Sequence, residues 1–390
     1  MNKGYERGVN MHADVAVIGV GTMGSMALWQ LAKRGISVLG FEQYGIGNDR
    51  SAAGGESRLF RTAYMEGQEY VPLLQEARHL WKELESEAGT TLLTLNGGLM
   101  IGDPNTEVMK NVLKSIEAFN LEHEILAGKY AEQRYPQHRL FSEDIMILDK
   151  NAGFLRPELA VISAADRAEN LGAKIHRYTK VKDIHSDKLG VTITTDKEEY
   201  RVGKVLITTG PWTGKFLSGF KTVYEARRLV LTWFTAKDID MFKPDRFPIF
   251  ARMRKGFRLT GTPTLDGTMV KASNTKDPVY VKEPANLNRD VNVDELRTVS
   301  DAVRELIPGL KPDPVRASVY MDSYSPDDHS VIGSVPGMEN VLIASGFSGH
   351  GFKMSPVIGK ITTELLIDGK TSYPINHLSP NRFFQNVSST

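Results

Sequence analysis

The sequence predicts an α/β protein in which a Rossmann-type dinucleotide-binding domain is joined to a second, discontinuous domain. One observation is a short apolar strand that runs directly into Gly19, Gly21 and Gly24 before a helical pattern begins. Another is a second apolar strand that ends on Glu42, at the distance from the glycines where an acidic residue reaches a ribose. The third is the length of 390 residues with 41% hydrophobic content, which fits two or three domains or one large intertwined fold.

Each glycine of this motif has a separate role. Gly19 permits the tight turn out of the strand, Gly21 lets the backbone approach a pyrophosphate, and Gly24 lets helix and strand pack closely. The helix N-terminus then offers N–H groups and a partial positive charge to the phosphates. Glu42 would accept hydrogen bonds from ribose hydroxyls and repel a 2′-phosphate, so FAD or NAD is favoured over NADP. A glycine-rich turn without a ligand is the alternative, but the complete order of elements favours a bound dinucleotide.

Composition narrows the function classes. With 48 basic and 47 acidic residues the formal net charge is +1, so small-molecule partners are expected rather than nucleic acid or a membrane surface. The absence of cysteine excludes disulfides, thiolate metal sites and a cysteinyl-flavin bond, and no metal site is predicted. No apolar run reaches membrane-spanning length and no signal-peptide segment is seen, so a cytoplasmic location is expected. Residues 1–11 are expected to be a disordered extension, and a monomer is the default expectation.

The first half of the chain predicts a loop followed by alternating helices and strands. Residues 43–57 are polar and glycine-rich, and a long loop this near a phosphate site is typically functional. Apolar periodicity then predicts helices over residues 72–88 and 105–120, with a strand over residues 92–101 between them.

The second half predicts further strands and two helices. A helix is expected over residues 157–171, and the strand that ends on Gly210 suggests another close approach of backbone to cofactor. Ser355 is expected to cap a helix whose first residue is Pro356. The predicted strands cover residues 173–178, 179–184, 191–195, 204–209, 229–236, 268–273 and 341–344.

Pieces of the dinucleotide domain at both ends and in the middle of the chain predict a discontinuous architecture. The cofactor-binding domain would comprise residues 12–94, 151–220 and 320–385. The substrate domain would comprise residues 95–150 and 221–319.

Four cationic side chains are candidates for chemistry. Arg58 and Arg61 follow the glycine-rich loop, and an arginine fork binds a carboxylate through two parallel hydrogen bonds, although two such arginines are more often surface or ion-paired residues. Lys271 lies in an apolar strand, where a charge is costly unless the strand is an edge or the amine faces a site. Lys353 precedes a helix N-terminus and would stabilise a ring that gains negative charge, the alternative being a solvated loop lysine.

Two long blocks of sequence carry a family resemblance. The first runs from Gly54 to Pro72 and the second is Gly346-Phe-Ser-Gly-His-Gly-Phe-Lys353. Together they resemble the monomeric sarcosine oxidase and N-methyltryptophan oxidase family of FAD-dependent amine oxidases, and the likeness extends over nearly the whole chain.

The resemblance implies a glutathione-reductase-type FAD domain and a substrate domain whose mixed or antiparallel sheet covers the isoalloxazine ring. In that family, secondary amino acids lose a hydride from the carbon next to nitrogen to flavin N5. The resulting imine hydrolyses, and dioxygen reoxidises the flavin to give hydrogen peroxide.

Roles are carried over by position. Arg61 and Lys353 correspond to the family's carboxylate-binding pair, Arg58 to an arginine near the flavin ring, and Lys271 to the lysine that activates dioxygen. The residues expected to contact FAD are Gly19, Gly21, Thr22, Met23, Gly24, Glu42, Gln43, Ser57, Arg58, Val181, Gly210, Trp212, Gly346, Gly349, His350, Gly351, Phe352 and Lys353.

Five departures from the family pattern change the expected pocket. The position of the flavin-linking cysteine is Tyr320, so FAD is expected to be held non-covalently. A flavin-facing histidine becomes Gly54, an active-site histidine becomes Thr275, and two pocket tyrosines correspond to Leu259 and Asp322. These changes argue against sarcosine as substrate. A retained carboxylate clamp with Asp322 and Leu259 in the substrate pocket would suit a larger derivative with a cation or several hydroxyls, such as an Amadori or opine-like compound.

Three other functions are compatible with parts of the sequence. An FAD-dependent dehydrogenase that passes electrons to a quinone or an electron-transfer protein is the nearest, although Lys271 argues for dioxygen. An NAD-dependent dehydrogenase would share only the first glycine motif. A flavoprotein with a lapsed activity could serve as a binding protein, but Arg61, Lys271 and Lys353 together argue against this.

Overall fold

The computed structural model describes residues 11–217, 224–254, 257–276 and 278–384. Within them the helices are α1 (Thr22–Lys33), α2 (Val71–Ala88), α3 (Glu107–Phe119), α4 (Gly128–Arg134), α5 (Pro157–Asn170), α6 (Thr213–Phe216), α7 (Val293–Leu306) and α8 (Ser355–Asp368). The strands are β1 (Ala13–Ile18), β2 (Val38–Phe41), β3 (Arg58–Phe60), β4 (Leu93–Thr94), β5 (Gly98–Gly102), β6 (His123–Ala127), β7 (Ile145–Asp149), β8 (Gly153–Leu155), β9 (Lys174–His176), β10 (Val181–Asp187), β11 (Gly190–Thr195), β12 (Glu199–Ile207), β13 (Glu225–Phe234), β14 (Ile249–Arg254), β15 (Phe257–Thr262), β16 (Val270–Asn274), β17 (Val279–Val281), β18 (Arg316–Tyr324), β19 (Val331–Ser334) and β20 (Val341–Ser345).

The first sheet has a parallel centre. Strand β1 lies between β2 and β12, with β9 beside β2 and β20 beside β12, all in parallel pairs. Both faces are buried: Val15 and Val17 pack with α1, α5 and α8, whereas Ala16 and Ile18 pack into a second cluster on the other face. This arrangement is typical of a parallel sheet covered on both sides, and it confirms the predicted α/β class.

The second sheet is mixed. Its order is β17-β13-β16-β15-β14-β5-β7-β6, with β18 also paired to β13, and the β5–β14 pair is parallel whereas the others are antiparallel. One face of this sheet packs on α7 through residues such as Phe250, Ala272 and Val303. The mixed sheet that the resemblance implied is therefore present. On its other face Met100, Ile147 and Ala251 pack against α3, whereas Lys271 and Thr260 border a cavity.

A small third sheet corrects one predicted element. The strand expected over residues 92–101 is two strands: β4 pairs with β8 in this sheet, whereas β5 belongs to the mixed sheet. Between them the chain turns at Gly97, which has φ of +83°. Glycine adopts this left-handed conformation readily, and the turn redirects the chain from one sheet to the other.

The domain division stays a proposal. Strand β18 pairs with β13 along its whole length, from Arg316 opposite Trp233 to Tyr324 opposite Glu225. The third segment of the cofactor domain would therefore begin after Tyr324 rather than at residue 320. The proposed boundary between residues 220 and 221 lies outside the described residues. The same holds for residues 1–10 of the expected extension.

Among the helices of the described segments, none is both long and apolar enough to cross a bilayer.

The expected cap of α8 is wrong. The cap position is Met354 and Ser355 is the first helical residue, because a short 3-10 turn over Phe352–Met354 leads directly into the helix.

Candidate active site

A cavity of about 570 Å³ lies where the carboxyl ends of β1, β2, β12 and β20 face the mixed sheet. Ligands of α/β proteins bind at this edge of a parallel sheet. The cavity brings together nearly all predicted site residues, and only Gly24 and Leu259 are not part of its wall. The predicted residues that line it are Gly19, Gly21, Thr22, Met23, Glu42, Gln43, Ser57, Arg58, Arg61, Val181, Gly210, Trp212, Lys271, Asp322, Gly346, Gly349, His350, Gly351, Phe352 and Lys353.

The glycine motif has the geometry of a phosphate cradle. Gly19 has φ of +91°, and a Cβ on Gly24 would lie 2.0 Å from the Gly19 carbonyl oxygen, so Gly24 keeps helix and strand in close contact. A Cβ on Gly21 would meet only Ser51, at 3.8 Å, so the start of α1 opens onto the cavity. The Thr22 hydroxyl is buried there without a hydrogen-bond partner, which fits a phosphate oxygen bound at the helix N-terminus.

Glu42 lies at the end of β2, as predicted. One of its carboxylate oxygens accepts the Val20 N–H at 3.0 Å and the other accepts the Tyr44 N–H at 2.9 Å. Burial raises the pKa of Glu42, and these two hydrogen bonds oppose the shift. Each oxygen keeps a second acceptor position, so the side chain can still receive ribose hydroxyls.

Arg58 is held by the loop that precedes it. Its guanidinium donates to the carbonyl oxygens of Ala52 at 2.7 Å, Gly54 at 2.5 Å and Ser57 at 2.8 Å. Burial lowers the pKa of Arg58, yet an arginine keeps its proton at any ordinary pH. The loop therefore fixes one permanent cation at the cavity wall.

Lys271 reaches the same loop from β16. Its ammonium donates to the carbonyl oxygens of Gly55 and Ser57, both at 2.9 Å, and it lies 5.7 Å from the centre of the Trp233 ring. Burial, followed by the charge of Arg58, lowers the pKa of Lys271 well below its usual value. The side chain borders the cavity, and a functional role for this lysine stays a prediction.

Glu158 organises this loop and was missed by the sequence analysis. One carboxylate oxygen accepts the N–H groups of Gly55 at 2.6 Å and Glu56 at 3.0 Å. Both of those residues have positive φ, +100° and +67°. The carboxylate thus stabilises a strained turn whose carbonyls hold the two cations, and the long sequence separation left no local signal for it.

Arg61 borders the end of the cavity nearest Tyr64, whose ring centre lies 5.8 Å from the guanidinium carbon. It is 6% exposed and contacts the sulfur atoms of Met65 and Met100 at 3.5 and 3.2 Å. Its nearest carboxylate is Glu66, at 3.5 Å, and its Nε is buried without a partner. A buried guanidinium with an unused donor is equipped to bind a carboxylate ligand.

Lys353 borders the same end. Its ammonium donates to the His350 carbonyl oxygen at 2.6 Å and contacts the Tyr64 hydroxyl at 3.3 Å. Burial lowers the pKa of Lys353 to about 7, the charge of Arg61 acts in the same direction, and Glu66 opposes both. A bound carboxylate would favour the charged form of this lysine.

The His350 side chain is uncharged and holds the Tyr64 hydroxyl, which in turn contacts Lys353. Burial lowers the pKa of His350 to about 4, so the ring is neutral near pH 7. Its Nε2 lies 2.9 Å from the Asp328 carbonyl and its Nδ1 lies 3.0 Å from the Tyr64 hydroxyl. These partners assign the proton to Nε2, so the Tyr64 hydroxyl donates to Nδ1 and can accept from Lys353.

Glu66 and Arg258 complete this end and were also missed. One oxygen of Glu66 lies 3.1 Å from the Arg258 guanidinium and 3.5 Å from that of Arg61. Burial alone would raise the pKa of Glu66, but the surrounding positive charges, Arg61 first, lower it to about 2. Glu66 is therefore a permanent anion among cations.

Leu259 corrects a predicted site residue. It is fully buried in the core between the mixed sheet and α7, not in the cavity wall. Its neighbours Arg258 and Thr260 face the cavity instead, because successive residues of a strand point to opposite faces.

Asp322 lies on β18 beside the cavity, as predicted. Its oxygens accept the N–H groups of Ser323 at 2.7 Å and Gly349 at 3.1 Å. Burial raises the pKa of Asp322 to about 6, and these bonds and the Arg58 charge oppose the rise. The carboxylate is thus partly compensated before any ligand binds.

Gly54 and Tyr320, two of the departures from the family pattern, lie in direct contact. A Cβ on Gly54 would lie 2.0 Å from Cε1 of the Tyr320 ring. Tyr320 in turn packs with Leu231 and Trp233, which restrict where its ring can move. A tyrosine at position 320 therefore requires a residue without a side chain at position 54.

We expect Gly54→Ala to lower the stability of the holoenzyme by about 1–3 kcal/mol, because the new methyl group overpacks this contact. The same substitution should cost much less in a Tyr320→Leu background. Melting temperatures of the wild type, both single variants and the double variant measure this coupling. Equal costs in the two backgrounds would contradict it.

The comparisons with known proteins agree with this geometry. A family model described as FAD dependent oxidoreductase matches residues 14–365. The chain belongs to this family. A monomeric sarcosine oxidase of Streptomyces avermitilis is 33% identical over 374 residues, covering 95% of this chain and 97% of that protein. An N-methyl-L-tryptophan oxidase of Salmonella dublin is 30% identical over 377 residues, covering 96% and 100%.

A solved structure shares the fold of this FAD-dependent oxidoreductase. NikD, described as an unusual amino acid oxidase essential for nikkomycin biosynthesis, matches with a TM-score of 0.84 at 22% identity, covering 95% of this chain and 98% of NikD. The family model and the two relatives at 33% and 30% identity confirm the family resemblance drawn from the two sequence blocks.

The residues present fit FAD. The cradle of Gly19, Gly21 and Gly24, the unpartnered Thr22 hydroxyl and the acceptor Glu42 are the groups that a dinucleotide requires. FAD is the cofactor of this oxidoreductase. Because the chain contains no cysteine, no cysteinyl bond can hold the flavin, in agreement with non-covalent binding.

Proposed function

We propose that this FAD-dependent oxidoreductase is an oxidase of a secondary or N-substituted amino acid, acting on a CH–NH bond with dioxygen as acceptor. The observation that carries the proposal is the pair of buried cations, Arg61 and Lys353, which border the cavity next to Tyr64. A small carboxylate bound there would be oriented by the Arg61 guanidinium and by the charged form of Lys353. We further propose that the protein acts as a monomer.

The substrate end would fix the position of the amino acid. Arg61 would use its free Nε and one terminal nitrogen for the substrate carboxylate, and Lys353 would add a third donor. Tyr64 and the His350 carbonyl hold the Lys353 ammonium in place before the substrate arrives. Prior positioning of the binding groups reduces the entropic barrier to reaction.

The other cations would act at the redox end. Bound FAD supplies the hydride acceptor for the substrate carbon and returns the electrons to dioxygen. Lys271, held by two carbonyls, would stabilise the negative charge that dioxygen acquires, while Arg58 would stabilise negative charge on the ring. Hydrolysis of the imine product then needs only water.

The test is anaerobic bleaching of the bound flavin by a panel of N-methyl, cyclic, glycated and opine-type amino acids. Bleaching by at least one class, followed by rapid recovery of colour and hydrogen peroxide on admission of air, is the expected result. Bleaching without recovery in air would favour a dehydrogenase. A flavin that no amino acid bleaches would contradict the proposal.

Carboxylate binding should weaken at alkaline pH. The charged form of Lys353 binds the ligand, and because its pKa is lowered to about 7, that form is lost as the pH rises through 7. We expect the dissociation constant of acetate or propionate to rise between pH 6 and 8.

Perturbation of the flavin absorbance measures this affinity. Lys353→Met should remove the inflection near pH 7. Asp322→Asn should leave it in place, because the charge that acts on Asp322 is that of Arg58. A dissociation constant that does not change over this range, in all three proteins, would be the contrary result.

A further inference from the structure

The substrate end of the cavity holds more positive than negative charge. Three cations, Arg61, Arg258 and Lys353, surround one carboxylate, Glu66, and all four side chains line the cavity. One substrate carboxylate would balance only one of the two excess charges. The proposed oxidation of an amino acid therefore leaves one cation without a function.

Arg258 is the cation that the proposed clamp does not use. It lies on β15 and contacts Glu66 at 3.1 Å and the Met65 sulfur at 3.9 Å, both through the same terminal nitrogen. Its side chain is 41% exposed in this structure, in contrast to the 8% of Arg61. The guanidinium thus retains donors that can reach a ligand in the cavity.

Unpaired atoms around it indicate a missing polar ligand. Nε of Arg61 and the second oxygen of Glu66 are both buried without a hydrogen-bond partner. Buried polar atoms are almost always paired in native structures, so such atoms need a partner that the protein alone does not supply. The Arg61 Nε is a donor for the first substrate carboxylate and the Glu66 oxygen is an acceptor for the substrate N–H, so Arg258 is the cation that remains for a second carboxylate.

We propose that the substrate of this enzyme carries a second carboxylate and that Arg258 binds it, which makes the substrate class N-substituted amino dicarboxylic acids. This inference rests on the proposed function. With two substrate carboxylates and Glu66, three negative charges face the three cations. The second carboxylate lies either on the amino-acid side chain or on the nitrogen substituent.

The alternative of a substrate with an added cation is less well supported. Asp322, the residue that suggested it, already accepts two backbone N–H groups and lies within electrostatic reach of Arg58. Glu66, the other carboxylate, already has Arg61 and Arg258 beside it. A planar guanidinium is instead the group that best recognises a carboxylate through paired hydrogen bonds.

The test uses substrate pairs that differ only in charge. One pair is N-methyl-L-glutamate and N-methyl-L-glutamine, and the other is N-carboxymethyl-L-alanine and its N-carbamoylmethyl analogue. Anaerobic flavin reduction and steady-state kcat/KM are measured for the wild type, Arg258→Gln, Arg258→Lys and Arg254→Gln. Arg254 is the matched control, because it is 37% exposed, pairs with Glu143 at 3.4 Å and lies outside the cavity wall.

We expect the wild type to prefer the acid over the amide in at least one pair by about tenfold or more in kcat/KM, as a charge-assisted pair would give. Arg258→Gln should remove most of that preference. Arg258→Lys should retain part of it, and Arg254→Gln should leave it within about twofold.

Four results would overturn the inference. One is that the wild type uses the acid and the amide equally well in both pairs. Another is that Arg258→Gln lowers both kcat/KM values but leaves the ratio of acid to amide unchanged. The latter would make Arg258 a structural partner of Glu66. Bleaching by N-methyl monocarboxylic amino acids but by neither dicarboxylate also overturns it while leaving the proposed function intact. Bleaching by no amino acid at all overturns both.

Discussion

Lys271→Met is expected to slow reoxidation of the substrate-reduced enzyme by dioxygen by about 10²–10³-fold, while flavin reduction by substrate changes much less. The reason is that a preorganised donor or charge at a developing negative charge contributes about this much to a rate. Stopped-flow mixing of the reduced enzyme with oxygenated buffer measures the first rate, and anaerobic mixing with substrate measures the second.

The structural role of Lys271 needs its own control, because its ammonium also holds the carbonyls of Gly55 and Ser57. Lys271→Gln keeps a hydrogen-bond donor at the site but removes the charge. If charge is what matters, both variants lose oxygen reactivity to a similar extent. Near-normal reoxidation in Lys271→Gln would assign the residue to loop support alone. Lys237→Met, a change at an exposed lysine that donates to the Pro308 carbonyl, should affect neither rate.

Arg61→Gln is expected to lower kcat/KM for the amino-acid substrate by about 10²–10³-fold. Truncating one partner of a buried, hydrogen-bonded charge pair costs about 2–5 kcal/mol, much of it from leaving the other charge unpaired. Steady-state kinetics with the best substrate of the bleaching panel measures the loss. Binding of a simple carboxylate should weaken in parallel, since the interaction exists before the chemical step.

Two further variants separate binding from structural damage. The double variant Arg61→Gln/Glu66→Gln also removes the Glu66 carboxylate. In the single variant this carboxylate lies beside an uncharged glutamine. Because Glu66 also pairs with Arg258, we expect the double variant to recover neither stability nor kcat/KM. Arg228→Gln alters a comparably buried arginine outside the cavity wall, which pairs with Glu295, and should reduce stability without a specific effect on carboxylate binding. Recovery of kcat/KM in the double variant would argue against the clamp.

The dinucleotide half of the site was predictable because its information is local. Gly19, Gly21 and Gly24 act within one turn of chain, and Glu42 follows at a spacing that the strand and helix lengths determine. No knowledge of the rest of the fold was needed for this half. The same locality explains why the long loop before Arg58 was recognised from composition alone.

The substrate half was only partly predictable. Arg61, Lys271 and Lys353 were candidates from their local sequence, but their roles came from the family resemblance, and composition alone left Lys271 as an even choice. Glu66 and Arg258 were missed, because their contact joins positions 192 residues apart and no pattern in either segment indicates it. The prediction for Leu259 was wrong by one position. Its neighbours Arg258 and Thr260 face the cavity, and a shift of one residue along a strand places a side chain on the opposite face, here in the core.

The loop that holds Arg58 and Lys271 has a consequence for the reach of their electric field. The hydrogen bonds described for both cations end on uncharged backbone oxygens, not on a carboxylate in direct contact. A lysine joined to a carboxylate presents a dipole, whose potential decays with the square of distance, whereas a single charge decays only with the first power. The turn held by Glu158 therefore keeps carboxylates out of direct contact with both cations, and Glu158, which acts on both charges from a greater distance, weakens their field in the cavity without cancelling it locally.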